Sequence, residues 1–311
     1  MEQRQLGKSG LRVSLVGLGC NNFGARVDQA GTNAVIHKAL DAGITLFDTA
    51  DVYGERRSES FVAEALGDRR KDIVLATKFA MPMDQSGRMQ GGSRRYIMTA
   101  VEASLKRLKT DWIDLYQYHR PDALTPLDET LRALDDLVRQ GKVRYIGCSN
   151  LPAWQVVESQ WLSRTGSLAH FVSCQDHYSL LYRDIERELV PAMQTHGLGL
   201  LPYYPLASGL LTGKHRSDQS TFAGTRFGTT QVFKDLFVQD ANWAKVEALR
   251  GFADRHGRSL LELAMSWLAA QPTVSSIIAG ATKPEQIESN VKATGWKLTA
   301  EDLAEIDKLL A

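Results

Sequence analysis

Four residues that can donate, accept or tune a proton lie at the ends of three consecutive apolar runs of the sequence. They are Asp48 and Tyr53 in LFDTADVYG, Lys78 in LATKF, and His119 at the end of WIDLYQYH. Taken singly, each has an ordinary structural explanation, such as a turn cap for the aspartate or packing for the tyrosine. Taken together, they form a coherent acid–base group.

The chemistry of this group follows from its residue types. A phenol titrates near pH 10 and is a poor acid–base group at neutral pH. An adjacent ammonium lowers that pKa, and a carboxylate beside the ammonium holds it in place. Tyr53, Lys78 and Asp48 supply these three groups, and His119 adds a hydrogen-bond donor that polarises a substrate oxygen or relays its proton. The set predicts protonation of an alkoxide formed by hydride transfer to a carbonyl. Asp51, in the intervening turn, is predicted to cap backbone or face water.

Eight short apolar runs, each followed by polar residues or glycine, predict the strands that position these residues. They are 14–20, 45–50, 72–79, 112–119, 143–150, 170–178, 197–206 and 275–280. Amphipathic segments predict helices at 32–42, 58–70, 94–109, 128–140, 152–165, 184–196, 242–256 with 259–270, and 284–294. Ser58 and Asp128 are predicted helix N-caps, and Pro284 suits a first helical turn.

The alternation of strands and helices predicts an α/β fold, either a (β/α)8 TIM barrel or a doubly wound open sheet. We favour the barrel and assign residues 1–311 to one domain, because no linker or composition shift divides the 311 residues. A β-hairpin is predicted in RQLGKSGLRVS, near the N-terminus. Two long segments, 80–95 and 207–230, follow predicted strands and are expected as loops at the C-terminal rim.

Composition restricts the partners of the chain. Its 37 Lys+Arg and 36 Asp+Glu residues give a net charge of +1, which favours neither nucleic acid nor an anionic membrane as partner. Cys20, Cys148 and Cys174 form no CxxC pair, which is typical of a reducing compartment rather than of a disulfide framework or zinc cage. No segment resembles a signal peptide or a membrane span. We therefore expect a cytoplasmic protein; its oligomeric state is open.

Motifs spread from residue 14 to residue 291 resemble the aldo-keto reductases, in the order of that family. They are FDTADVYG followed by SE, LATKF, IDLYQYH, IGCSN, PLASGLLTGK and AGATKPEQIESN. The resemblance implies a catalytic tetrad in which Tyr53 donates the proton, Lys78 tunes it, Asp48 pairs with Lys78 and His119 orients the carbonyl. It also implies an NADPH-dependent alcohol:NADP+ oxidoreductase, with NADH as a second possible cofactor, that reduces aldehydes or ketones.

The resemblance further implies a nicotinamide cofactor site at the strand ends. Ser149, Asn150 and Gln175 match residues that bond the nicotinamide carboxamide. Tyr203 matches the residue that stacks on the ring, and on a strand only one of Tyr203 and Tyr204 can face the barrel mouth. The pyrophosphate and adenosine contacts, together with a glycine of the first strand, are predicted to be Gly19, Leu206, Ser208, Gly209, Leu211, Gly280, Thr282, Lys283, Gln286 and Asn290. Lys283 could pair with a 2′-phosphate, which favours NADPH.

A small-molecule carbonyl is the predicted substrate. Its predicted contacts are Phe23, Tyr53 and His119, and possible lining from the two loops comprises Met81, Met83, Arg88, Phe222, Phe227 and Phe233. Such a lining would admit sugars, aromatic aldehydes, quinones or keto-steroids. Two departures from the family pattern concern the substrate rim and the adenosine contacts: Arg56 where the family usually has glycine, and Ser289 where it often has glutamate.

Two other functions are compatible with parts of the sequence. One is a cofactor-binding regulatory subunit resembling the β-subunits of potassium channels, which share this fold and tetrad. The early start of the fold, without an N-terminal extension of the inactivating kind, favours the enzyme instead. The other is a metal-dependent barrel hydrolase with His119 and Asp48 as ligands, which the adjacent Lys78 ammonium disfavours because it repels a cation.

Overall fold

The strands of the chain form one small antiparallel sheet and one large parallel sheet. The structure, a computed structural model, describes residues 1–218, 222, 225–229 and 231–310; the remaining positions, within the predicted 207–230 loop and at residue 311, lie outside the described residues. The strands are β1 Gln3–Gln5, β2 Arg12–Ser14, β3 Val16–Gly19, β4 Leu46–Asp48, β5 Val74–Phe79, β6 Ile113–Tyr118, β7 Val143–Ser149, β8 Phe171–Gln175, β9 Gly199–Leu200 and β10 Ile277–Gly280.

The large sheet closes into a barrel. Strands β3 to β9 pair in parallel in sequence order, and β10 pairs with β3. The gap between β9 and β10 is bridged by a parallel pairing of Leu200 with Val274 and by the Ile278 N–H, which donates to the Pro202 carbonyl at 3.0 Å. The predicted (β/α)8 barrel is therefore confirmed, and the open doubly wound sheet is not the arrangement.

The predicted N-terminal hairpin, β1 with β2, covers the end of the barrel at which the parallel strands begin. Leu6 and Val13 from the hairpin are fully buried against Leu46, Ala76 and other barrel residues that point inward. This small core inside the barrel is separate from the larger core between barrel and helices. Apolar side chains therefore fill this end of the barrel, and Asp48, Lys78 and Gln175 lie at or near the opposite ends of their strands.

Helices surround the barrel in the described residues. They are α1 Gln29–Asp41, α2 Tyr53–Arg56, α3 Ser58–Leu66, α4 Arg94–Leu108, α5 Leu127–Arg139, α6 Ala153–Gly166, α7 Leu189–His196, α8 Arg226–Thr229, α9 Gln231–Phe237, α10 Asp240–Arg255, α11 Leu260–Ala270, α12 Pro284–Lys292 and α13 Ala300–Leu310. Short 3₁₀ turns occupy Gly67–Asp72, Asp184–Glu186 and Ala207–Thr212. Leu131, Leu134 and Leu137 of α5 are buried, and Pro284 begins α12 as predicted.

Several local predictions were wrong. Neither predicted N-cap holds that position. Ser58 is the first residue of α3, and its hydroxyl donates to the Cys20 carbonyl at 2.8 Å; Asp128 lies within the first turn of α5. The helix predicted from 184 begins only at Leu189. The strand predicted over 197–206 is limited to β9, since Pro202 has no N–H to continue a ladder.

Candidate active site

The four residues of the predicted tetrad meet at the C-terminal end of the barrel. Asp48 is the last residue of β4, Lys78 lies near the end of β5, and His119 follows β6 directly. Tyr53 begins α2, after the turn that leaves β4. Parallel pairing sets Asp48 opposite Ala76 of β5, two residues before Lys78, so both side chains point the same way.

A fully buried ion pair forms the floor of the site. The Lys78 Nζ lies 2.6 Å from Asp48 Oδ2 and donates a second hydrogen bond to the Thr49 carbonyl at 2.8 Å. The other carboxylate oxygen of Asp48 accepts from the amides of Gln117 at 2.9 Å and Gln175 at 3.0 Å. Both oxygens of Asp48 are thus occupied by protein donors, which leaves this carboxylate poorly suited to hold a metal ion.

Tyr53 and His119 lie above this pair. The Lys78 Nζ is 4.8 Å from the centre of the Tyr53 ring, and the Tyr53 and His119 rings meet edge to face with centroids 5.7 Å apart. Both rings line a cavity of about 770 Å³, whereas Lys78 lies behind its wall with no exposed surface. An oxygen atom in the cavity can therefore approach the phenol and the imidazole from the same side.

The pKa of the Tyr53 phenol is raised, not lowered. Burial raises it, and the positive charge of Lys78 opposes this shift without reversing it. For Lys78, burial lowers the pKa, but the charges of Asp48 and Tyr53 outweigh burial and leave it above its ordinary value. The sequence prediction included the charge and not the burial. Tyr53 is therefore a protonated phenol beside an ammonium at neutral pH.

His119 is neutral at the same pH. Burial, with the nearby charges of Lys78 and Arg120, lowers its pKa to about 3. Its Nδ1 atom is buried and has no hydrogen-bond partner among the described residues. A neutral imidazole offers one N–H donor at a time, so His119 is suited to donating a hydrogen bond and not to acting as a charged acid.

The predicted cofactor residues largely line the same cavity as the tetrad. These are Gly19, Ser149, Asn150, Gln175, Tyr203, Leu206, Ser208, Gly209, Gly280, Thr282, Lys283, Gln286 and Asn290. Leu211, a predicted cofactor contact, and Phe23, a predicted substrate contact, lie elsewhere: both are fully buried in the core between barrel and helices and do not line the cavity. Of the predicted loop lining, only Met81 lines this cavity; Met83, Arg88, Phe222, Phe227 and Phe233 do not. Phe23 therefore does not offer its ring to a substrate in this cavity.

A chain of hydrogen bonds connects the predicted nicotinamide contacts. The Tyr203 hydroxyl donates to the Asn150 carbonyl oxygen at 2.7 Å, and the Asn150 amide donates to the His119 backbone carbonyl at 3.0 Å and to the Ser149 hydroxyl at 2.9 Å. Behind Tyr203, the His177 ring stacks at 5.6 Å. Asn150 thus holds the Tyr203 hydroxyl, and His177 packs against one face of the Tyr203 ring. A ring held in this way can stack against a flat heterocycle on its other face.

Both adjacent tyrosines line the cavity, contrary to the alternation expected on a strand. Tyr204 has a left-handed backbone, with φ of 51°, so the chain has already left the strand geometry at this residue. Three further left-handed residues follow, Ala207, Ser208 and Gly209. The Ser208 hydroxyl is buried without a partner among the described residues. This strained segment and its orphan hydroxyl fit a bound anion such as a pyrophosphate.

The opposite end of the cavity is formed by the start of α12. Lys283 is its N-cap residue, and the Gln286 side chain accepts from the Thr282 N–H at 2.7 Å. Asn290 and Ser289 complete this end of the lining. A helix N-terminus with an adjacent lysine suits a phosphate group, so the residues present fit a dinucleotide that extends from Tyr203 to α12.

Of the two alternatives predicted for Asp51, exposure to water is wrong. Its side chain is buried and accepts a hydrogen bond from the Tyr96 hydroxyl at 3.3 Å. Burial, with the nearby charge of Glu59, raises its pKa to about 7. Asp51 does not line the cavity, and the aspartate paired with Lys78 is Asp48.

Some residues of the site were not predicted from the sequence. Gln117 holds Asp48 and could have been found, because it lies two residues before His119 and strand residues at that spacing share a face. Arg26 and Lys214 line the cavity from two loops that are distant in the chain. Burial, with the charge of Arg26, lowers the pKa of Lys214. No local signal in the sequence reveals this pairing.

Gly54, which follows Tyr53, provides a test of how the turn positions the phenol. Its φ is 58°, and a Cβ there would lie 1.9 Å from the Phe23 carbonyl oxygen. Gly257 also has a positive φ, of 64°, but no atom of a described residue beyond its two chain neighbours lies within 4 Å of a Cβ placed there. We expect Gly257→Ala to cost about 1 kcal/mol and Gly54→Ala about 1–3 kcal/mol more, measured by urea unfolding. Equal losses in the free energy of unfolding would show that the turn at Gly54 accommodates the added Cβ without strain.

A (β/α)8 barrel with this tetrad at its C-terminal end defines the class of the protein, and the comparisons give the family. The Aldo/keto reductase family matches residues 15–311, and the chain belongs to that family. A probable voltage-gated potassium channel subunit beta of Oryza sativa subsp. japonica is 38% identical, over 94% of this chain and 91% of the relative. The Aldo-keto reductase YhdN of Bacillus subtilis is 34% identical over 100% and 94%. An L-glyceraldehyde 3-phosphate reductase of Escherichia coli is 32% identical over 100% and 93%.

The family assignment supports an oxidoreductase. Within the described ranges, no helix combines the length and the apolar character needed to cross a bilayer.

Proposed function

We propose that the protein reduces aldehydes or ketones to alcohols with NADPH and that Tyr53 is the general acid. The observation that carries the proposal is the buried Asp48–Lys78 pair beneath Tyr53, with His119 at the edge of the same ring. The three buried free cysteines, which include Cys148 and Cys174 with sulfurs 3.7 Å apart, support a cytoplasmic location.

The residues of the chain have distinct tasks in this reaction. His119 donates a hydrogen bond to the carbonyl oxygen and holds it beside the Tyr53 hydroxyl. Tyr53 gives its proton to that oxygen as negative charge develops, and the Lys78 ammonium stabilises the phenolate that remains. Asp48, held by Gln117 and Gln175, keeps Lys78 charged and in place. When bound, reduced nicotinamide supplies the hydride.

The cofactor would be held at several points along the cavity. Tyr203 would support the nicotinamide ring, the segment 206–209 would hold the pyrophosphate, and α12 would hold the adenosine end. Ser149, Asn150 and Gln175 already bond to protein groups, so carboxamide binding would use their remaining donors and acceptors. Lys283, exposed at the start of α12, is the cation that supports a preference for a 2′-phosphate.

Lys283→Ala tests that preference. We expect it to weaken NADPH binding by about 1.5–3 kcal/mol, the value of a charged hydrogen bond, and to affect NADH binding much less. Fluorescence titration of both reduced cofactors measures the difference. Lys292→Ala, at the other end of the same helix and away from the cavity lining, is the matched control. Equal weakening of NADPH and NADH binding would show that Lys283 does not bind the 2′-phosphate.

A carbonyl panel with NADPH and with NADH tests the function as a whole, by loss of absorbance of the reduced nicotinamide. A second candidate is a nicotinamide-binding regulatory subunit with little turnover, since the 38% identical relative is named as a potassium channel subunit beta. Tight cofactor binding without oxidation by any carbonyl would favour this second candidate.

A further inference from the structure

A second cleft, of about 830 Å³, lies beside the catalytic cavity, and its walls carry three guanidinium groups. Arg88 comes from the segment after β5, Arg95 from the first turn of α4, and Arg120 directly follows His119. All three residues are exposed. Among the residues that the structure describes, no carboxylate lies within ion-pair distance of any of them.

The carboxylates of this cleft are already bound by protein donors. Asp122 accepts two backbone N–H groups and the Thr125 hydroxyl at 2.7 to 2.9 Å. Asp84 accepts the N–H and the hydroxyl of Ser86 at 2.8 and 2.6 Å. The start of α4, capped by Ser93, also lies in the lining and adds the positive end of a helix dipole. These hydrogen bonds hold both carboxylates in place and leave each its negative charge. Three guanidinium groups therefore outnumber two carboxylates, and the cleft keeps a net positive charge.

The cleft and the catalytic cavity meet at two pairs of consecutive residues. Ala80 lines the cleft and Met81 the cavity, and Arg120 lines the cleft and His119 the cavity. Consecutive Cα atoms are about 3.8 Å apart. Among the described residues, the cleft and the cavity share no lining residue, so the backbone at these junctions forms the rim between them, and a substrate that spans both passes over this rim.

We propose that this cleft binds the oxyanion end of the substrate, a phosphate or a carboxylate group, while the carbonyl lies beside Tyr53 and His119. The inference rests on the carbonyl reduction proposed above and adds a substrate class to it. The planar fork of an arginine binds both oxyanions in a bidentate manner. A neutral carbonyl compound of the same length forms no ion pair with these arginines, and their guanidinium groups stay hydrated.

Two matched pairs of aldehydes test the inference with NADPH as cofactor. They are glyceraldehyde 3-phosphate with glyceraldehyde, and succinic semialdehyde with butanal. We expect the wild type to show a kcat/KM about tenfold or more higher for the charged member of at least one pair, the effect of a charged hydrogen bond. The pair that shows the preference distinguishes phosphate from carboxylate.

Single substitutions assign the preference to the cleft. Arg95→Gln and Arg88→Gln should each lower the charged-to-neutral ratio of kcat/KM by about tenfold. Arg94→Gln is the matched control, because Arg94 is an exposed neighbour that pairs with Asp136 at 2.5 Å and is not part of the lining. The control should keep the wild-type ratio.

The outcomes separate this inference from the proposed function. Equal kcat/KM values within both pairs, while neutral aldehydes are reduced, would overturn the oxyanion site and leave the reductase intact. The same fall of the ratio in Arg95→Gln and Arg94→Gln would also overturn it, by indicating a general charge effect. A wild type that oxidises NADPH with none of the carbonyls contradicts both.

Discussion

Tyr53→Phe is expected to lower kcat for carbonyl reduction by roughly a thousandfold, within the range that a positioned general acid contributes. The substitution keeps the ring, its edge contact with His119 and its contact with the Lys78 ammonium, and it removes the hydroxyl group that carries the proton. NADPH should bind with nearly unchanged affinity, because Tyr53 lies at the carbonyl end of the cavity. Stopped-flow turnover and a fluorescence titration of NADPH measure the two quantities separately.

Tyr204→Phe is the matched control for this loss. It removes a phenol from the same cavity, whereas the Lys78 ammonium lies over the ring of Tyr53. We expect turnover within a few-fold of wild type. The wild-type rate of reduction should also stay constant through neutral pH and fall only as pH rises past the phenol pKa, which burial holds above its usual value near 10. Near-normal turnover of Tyr53→Phe would mean that another group donates the proton.

The sequence was sufficient to predict the strands and helices, because their hydrophobic patterns repeat along the chain. Strand and helix periodicities located most elements, and the ends of β4, β5 and β6 were placed closely enough to bring Asp48, Lys78 and His119 together. Closure of the barrel could not be predicted in this way, because it depends on the pairing of Leu200 with Val274, which no local pattern encodes. The alternation also failed at Tyr204, where a left-handed residue ends the strand geometry.

The electrostatics of the site depend on burial and were the least predictable part. From residue types alone, Lys78 should lower the pKa of Tyr53, and its charge does act in that direction. The larger effect is the removal of Tyr53 from water, which one sequence does not reveal. The arginines around the second cleft illustrate the same limit. Arg88, Arg95 and Arg120 lie in separate segments, and only the fold gathers them beside His119.

Removing one charge of the buried Asp48–Lys78 pair is expected to lower both activity and stability. Lys78→Met is expected to lower kcat by at least about a hundredfold, since the phenolate of Tyr53 would lose its cation. It should also destabilise the fold by about 3–5 kcal/mol, because Asp48 would remain buried without the charge that compensates it. Urea unfolding and steady-state kinetics measure the two losses.

The double variant Asp48→Asn/Lys78→Met separates the structural from the catalytic role of the lysine. Removing both charges eliminates the uncompensated carboxylate, so the free energy of unfolding should recover most of what Lys78→Met loses. The amides of Gln117 and Gln175 keep an oxygen acceptor at this position. Turnover should stay low, because no ammonium remains beside Tyr53. If turnover recovered together with stability, Lys78 would serve only to neutralise Asp48, and the phenol would donate its proton without assistance.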